Sequence, residues 1–173
     1  VNVEAIPTCP DPSAGTATNE TGVGADLSWT ENGSATAWDL EIGATGFSPS
    51  GTPTVGLDDV GANPYTWSGG AASTDYDFYV RADCNSDNID VSTWEGPFSF
   101  TTACATYTPD YTEDFTTYVP NCWEEATGPI TGPTATGSSR WAVDCFGNVG
   151  SSGSAKVEIW LASGAEWLLT PLF

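Results

Sequence analysis

The chain has 173 residues, 23 of them acidic against three basic, a formal net charge of −20, and no histidine. So negative a surface repels phosphate backbones and anionic lipid, so no nucleic acid partner is expected, and the missing imidazole removes Ser-His-Asp and Cys-His catalysis and His-ligated metal sites. Hydrophobic residues at 39% and eight tryptophans suffice for packed cores, but no run of about 18 apolar residues exists, so no membrane insertion is expected.

The opening residues carry no basic start followed by an apolar segment, so any export signal is expected to precede Val1 or to have been removed. Gly, Ser, Thr, Asn and Pro then punctuate the chain at intervals of roughly 8 to 12 residues, with alternating apolar runs between them, the pattern of an antiparallel sandwich. ADLSWT places Leu27 and Trp29 on one face. AWDLEIG places Trp38, Leu40 and Ile42 together, with Asp39 and Glu41 opposite. A short strand is expected over Gly51 to Leu57, irregular because of Pro53. Another, entered through Pro64, is expected over Asn63 to Trp67. TDYDFYVRADC turns Tyr76, Phe78, Val80, Ala82 and Cys84 inward and Asp75, Asp77, Arg81 and Asp83 outward. GPFSFTT closes the series with Phe98 and Phe100. About seven strands therefore fall between residues 9 and 102, and no sustained 3.6-residue period argues for helices.

Residues 105 to 173 do not repeat this pattern. From the boundary segment TTACATYTPDYTEDF, residues 101 to 115, there follow NCWEE, a Gly/Pro/Thr/Ser loop over 126 to 139, SSRWAVDCFGNVG, SAKVEIW and EWLLTPLF. Only about four strands are expected there.

Five cysteines, at 9, 84, 104, 122 and 145, form no C-x-x-C, so a zinc knuckle or redox motif is unsupported. In an acidic, loop-rich β chain they fit structural disulfides in an oxidising compartment. Their odd number leaves one thiol unpaired or paired outside the chain.

The first half resembles a fibronectin type III domain. Trp29 sits in the second strand, Trp38 opens the third, Thr74-x-Tyr76 opens the sixth with a tyrosine corner, and W-x-G-P-F-x-F-x-T closes the domain. The Cys9-Pro-x-Pro12, Gly46-Phe47 and Tyr79-to-Cys84 variants are similar to modules of large secreted bacterial proteins. The second half resembles the opening of a MAM-like, or cleaved-adhesin, jelly roll, through E-D-F, C-W, G-N-x-G, A-x-x-x-I and E-W-L-x-T-P, which implies that Trp160, Leu161 and Trp167 to Leu169 face a core or a second sheet. The implied fold class is all-β: a type III sandwich over residues 7–102, then a partial antiparallel jelly roll over 105–173. A complete jelly roll needs roughly eight strands, so either the polypeptide continues or another chain supplies strands.

The type III resemblance places the start of the first strand beside the end of the sixth, which implies a Cys9–Cys84 pair. Cys104 and Cys122 both recur in the resembling jelly rolls, which implies a second pair and leaves Cys145 odd. Pairing of Cys122 with Cys145, leaving Cys104 free, is the alternative.

Asp83, Asn85, Asp87 and Asp90 begin like a calcium-binding EF-hand loop, but Asn88 stands where Gly is required and Trp94 where Glu is. A hairpin loop rich in turn-forming Asn and Asp explains them as well. In the resembling jelly rolls, acidic groups near the first strand hold structural calcium. Glu113 and Asp114, joined by Asp144 and Asn148, are the corresponding candidates, with solvated carboxylates as the competing reading. Asp58-Asp59 and Glu124-Glu125 are adjacent pairs whose side chains diverge along a strand, unlike the facing carboxylates of glycosidases. Tyr65, Trp67 and Trp94 fall near strand ends, where aromatic faces could form a carbohydrate platform; the competing reading places them in the core. These readings imply a non-catalytic adhesion or binding segment of a secreted, surface-associated multidomain protein, its partner a glycan, a protein or neighbouring copies of itself. The alternatives are a filament subunit whose jelly roll is completed by a neighbouring chain, and an accessory segment of a secreted hydrolase.

Overall fold

The structure, a computed structural model, describes residues 9–50, 55–85, 89–144, 153–157 and 165–173. The described residues form strands and loops without helix, and the chain divides into two compact units, Val1–Ala103 and Cys104–Phe173.

In the first unit, β1 (Ser13–Thr21), β2 (Gly24–Thr30) and β5 (Tyr65–Ser68) form one antiparallel sheet in the order β1-β2-β5. The second sheet has the order β4-β3-β6-β7, from β3 (Ala37–Ala44), β4 (Val55–Val60), β6 (Asp75–Asp83) and β7 (Glu95–Thr101). This is a seven-stranded sandwich of fibronectin type III form. Alternation selects the inward rows. Ala25, Leu27 and Trp29 of β2 meet Trp38, Leu40 and Ile42 of β3 and Tyr76, Phe78, Val80 and Ala82 of β6, all buried. Trp29 and Trp38 meet edge to face at 5.4 Å, and Trp67 meets Tyr76 at 4.9 Å and Phe100 at 5.7 Å. Each such pair adds roughly 0.5–1.5 kcal/mol to the area it buries. Gly15 of β1 has no room for a side chain, since a Cβ there would lie 2.2 Å from the Phe98 ring of β7. The Tyr76 hydroxyl accepts a hydrogen bond from Ala71 N at 2.9 Å, forming the tyrosine corner at the entrance to β6.

Two expectations are corrected in this unit. The fourth strand begins at Val55 among the described residues and runs through Asp58 and Asp59 to Val60. Its register against β3 shifts between Leu40 and Trp38, with Asp59 at φ 54°, and that irregularity turns Val60 into the core. The fifth strand starts at Tyr65 rather than Asn63. The Asn63 amide instead caps the backbone of Trp29, donating to its carbonyl at 2.8 Å and accepting from its N–H at 3.3 Å. Asp39, Asp77 and Asp83 lie on the expected face, away from the core, and are nonetheless only 3%, 2% and 1% exposed. Gly46 and Phe47, just after β3, fold over part of that face. Phe47 packs edge to face on Tyr79 at 5.1 Å, and Asp77 accepts from Gly46 N at 2.7 Å and from the Ser99 hydroxyl at 2.6 Å. A carboxylate with such donors tolerates burial.

The second unit contains a three-stranded sheet of order β12-β8-β9 and a two-stranded sheet, β10-β11. Its strands are β8 (Glu124–Gly128), β9 (Ala135–Thr136), β10 (Trp141–Asp144), β11 (Ser154–Val157) and β12 (Ala165–Leu169). Five strands therefore stand among the described residues where about four were expected. The extra one is the two-residue β9, which lies in the stretch read as loop and is drawn onto β8 beside the Thr134 N to Thr127 O bond of 2.9 Å. Among the described residues of this unit only Pro120, Ala126 and Pro171 are buried, and Trp167, Leu168 and Leu169 are half-buried. Asp87, Asn88, Cys145, Asn148, Trp160, Leu161 and part of the expected fourth strand lie outside the described residues.

Candidate functional site

The most developed polar constellation lies on the outward face of β3, β4 and β6. Asp39 and Arg81 are direct cross-strand partners in the β3–β6 register, so their side chains leave the sheet side by side. Arg81 Nε donates to Asp39 Oδ2 at 2.8 Å, while Asp59 N donates to Asp39 Oδ1 at 3.2 Å. The guanidinium carbon stands 4.8 Å from the Trp94 ring centroid, a cation–π contact. Burial pushes the Asp39 carboxyl above its usual range, and the neighbouring Asp58 carboxyl pushes the same way. Arg81 and the Asp59 amide pull against that rise.

Asp39, Leu40, Glu41, Leu57, Asp58 and Trp94 surround a depression of about 150 Å³, smaller than the 300–1,000 Å³ typical of pockets that enclose a small molecule. A second depression, of about 220 Å³, lies between Thr45 and the outer side of Asp75, Ser99 and Thr101. In the first, the Asp39–Asp58 contact brings two carboxyls together without a facing cleft between them. The arrangement ties the irregular strand β4 to β3 and β6. The sequence held a signal for it: Asp39 and Arg81 share the outward row, and Trp94 precedes the last strand.

The cysteines assigned by resemblance come together in two bridges. Cys9 and Cys84 are bonded with Cα atoms 5.7 Å apart, and Cys104 and Cys122 with Cα atoms 5.8 Å apart. Cys104 is therefore not free, as the alternative pairing would have left it.

The candidate calcium ligands Glu113 and Asp114 turn their oxygens toward local donors. Glu113 accepts from the Tyr111 hydroxyl at 2.6 Å and from Phe115 N at 2.9 Å. Asp114 accepts from Thr116 N at 3.0 Å and its hydroxyl at 2.9 Å, bonds that hold its pKa below the usual value. Asp144 ends β10, its side chain and Asn148 lying outside the described set. Among the described residues no three Asp, Glu or Cys side chains gather as a metal ion would require. In the acidic loop, Asp83 accepts from Asn85 N at 3.3 Å, and Asn85 donates to Asp90 at 3.3 Å. These are hairpin-loop contacts.

The three aromatics do not share a platform. Trp67 is 3% exposed inside the core and offers no face to a sugar. Tyr65, two residues earlier on the same side of β5, packs against the same core. Trp94 alone is on an outer surface, half-buried beneath Arg81. Asp58 and Asp59 lie on β4, and Glu124 and Glu125 on β8. Glu125 accepts from the Tyr118 hydroxyl, and burial, with that carboxylate's help, raises the phenol's pKa.

No family model matches the chain, and no curated protein matches it. Among solved structures the chain is similar to a segment of two fibronectin type III domains from chicken tenascin, at 14% identity, covering 94% of this chain and 84% of that one with a TM-score of 0.39.

Proposed function

We propose that this chain is a non-catalytic binding and display segment of an exported, surface-associated bacterial protein. The observation that carries the reading is the double bridging of four of its five cysteines across loop-rich β units, a device of oxidising, extracellular compartments. The shallow depressions on the first unit and the net charge of −20 support it further, since they suit contact through surfaces and loops better than enclosed chemistry. On this reading the second unit is the opening of a MAM-like jelly roll, and the partner is a surface glycan or protein. Fractionation of the source cells tests the assignment. Recovery in the medium or on the surface with both bridges oxidised is expected, and a cytoplasmic pool with free thiols rejects it.

A second reading, a filament subunit completed by a neighbouring chain, draws on the thin interior of the second unit. Ile130, Val143, Leu172 and Phe173 are 86%, 60%, 78% and 57% exposed, and among the described residues its sheets have three and two strands, a poor basis for an independent sandwich. Sedimentation across a wide concentration range decides it. Concentration-dependent polymers are expected on this reading, and a monomer throughout rejects it.

A further inference from the structure

The chain contains two N-x-[ST] triplets, Asn19-Glu20-Thr21 and Asn32-Gly33-Ser34, the acceptor pattern for asparagine-linked glycans on exported chains. Such a triplet is short enough to arise by chance, so the surroundings of each asparagine must select between them. Both side chains are exposed, and exposure does not separate them. Their amide hydrogens do. Asn19 lies near the end of β1, at φ 53°, and its Nδ2 donates a single hydrogen bond among the described residues, to Asp26 Oδ2 at 2.8 Å. Asn32 follows β2, and its Nδ2 donates two, to the Asp11 carbonyl at 2.8 Å and the Ser13 hydroxyl at 3.0 Å.

A carboxamide nitrogen carries two hydrogens, and attachment of a sugar replaces one of them. Asn19 has one hydrogen to give up and keeps the other for Asp26. Asn32 has both committed, and modification breaks one of the bonds that fix the start of β1 to the β2–β3 loop. The partner of Asn19 is itself anchored, because Asp26 Oδ1 accepts from the Thr66 hydroxyl at 2.6 Å. The retained bond therefore orients a glycan over the outer face of the β1-β2-β5 sheet. Thr16 and Ser28 share a hydrogen bond of 2.9 Å on that sheet, so it presents hydroxyls where a saccharide would lie.

We propose that Asn19 is an N-glycosylation acceptor and that Asn32, in the folded chain, is not. The inference rests on the reading that the chain is exported. The co-substrate class is a polyprenyl-pyrophosphate-linked oligosaccharide. The Asn19 Nδ2 bonds to the anomeric carbon, and the bond from that carbon to the pyrophosphate oxygen breaks. Its electron pair leaves with the polyprenyl pyrophosphate, and one amide proton passes to a base of the transferase.

The test is peptide mapping of the protein from its native source, with thiols alkylated before reduction. A glycan on the Asn19 peptide, a bare Asn32 peptide and an oxidised Cys9–Cys84 bridge are expected. A bare Asn19 alongside an oxidised bridge overturns the proposal and leaves export standing. A bare Asn19 alongside alkylated Cys9 and Cys84 overturns both. A glycan on Asn32, with or without one on Asn19, overturns the hydrogen-bond selection. Thr21→Ala, which leaves the acceptor amide in place, is expected to abolish the Asn19 glycan, and Thr21→Ser to retain it. A glycan that survives Thr21→Ala overturns the assignment.

Discussion

Replacing Arg81 with methionine removes the guanidinium beside Asp39 while keeping much of the stem's volume. Removing one partner of a buried ion pair costs about 3–5 kcal/mol. Here the Asp39 side chain is 5% exposed and that of Arg81 24%, so water already reaches the cation and about 2–3 kcal/mol is expected at pH 7. The loss depends on pH with a definite sign. The folded-state pKa of Asp39 is raised above its ordinary 3.8, so the folded chain holds this proton more tightly than the unfolded chain. The stability linked to that proton is fully present below pH 3.8 and is lost as pH rises through the folded-state value. Without Arg81 that value climbs further and the loss grows. Arg81→Met is therefore expected to sit close to the wild type at about pH 3, within about 1 kcal/mol for the lost contact with Trp94, and to fall behind progressively toward pH 7. Urea unfolding at a series of pH values measures this directly. A deficit independent of pH, or one under about 0.5 kcal/mol at pH 7, refutes the assignment of Asp39 as a buried carboxylate held by Arg81.

Tyr76→Phe leaves the Ala71 amide without its hydroxyl partner, and a loss of about 1–2 kcal/mol in chemical denaturation is expected; an unchanged midpoint counts against the corner. Replacing Cys9 and Cys84 with alanine opens a span of 75 residues and is expected to cost about 4 kcal/mol, against about 3 kcal/mol for the 18-residue span between Cys104 and Cys122; the reverse order refutes the chain-entropy account. Asp26 titrates below its ordinary 3.8 because the Thr66 hydroxyl and then the Asn19 amide donate to it. Thr66→Val is expected to move its carboxyl-carbon NMR midpoint upward, and an unmoved midpoint shows that the hydroxyl does not stabilise the carboxylate. Trp67→Ala is expected to cost about 3–5 kcal/mol as a core cavity, and a loss below about 1 kcal/mol contradicts its burial.

The first unit was largely legible because period-two alternation in β2, β3 and β6 names the core directly: Leu27, Leu40, Ile42, Phe78 and Val80 are all 0% exposed. The same rule put Asp39, Asp77 and Asp83 on the correct side of their sheet but could not show that they are buried there. Alternation says which side of a sheet a residue leaves from, but not whether a loop such as that carrying Phe47 returns to cover that side. The fourth strand was misjudged for a related reason. An irregular register around Asp58 and Asp59 changes which residues face inward, and only the partner strand determines it. The aromatic platform failed on Trp67 because a tryptophan near a strand end reads alike in sequence whether it faces the core or the solvent. In the second unit, short runs such as Ala135–Thr136 become strands only through their neighbour.

The Cys9–Cys84 bridge also determines how the first unit bears mechanical load. Tension applied outside the two cysteines enters at Cys9 and passes through the sulfurs to Cys84, so the intervening chain, from β1 to the end of β6, carries none of it. A free span of 75 residues would pay out about 250 Å when drawn straight, and the covalent shortcut withholds that length. The load falls instead on the segment after Cys84, where β7 is zipped along β6 from Glu95 to Thr101. Under stretching in an oxidising medium, this unit can release only its last strand, and reduction of one bond would turn a nearly inextensible link into a long tether.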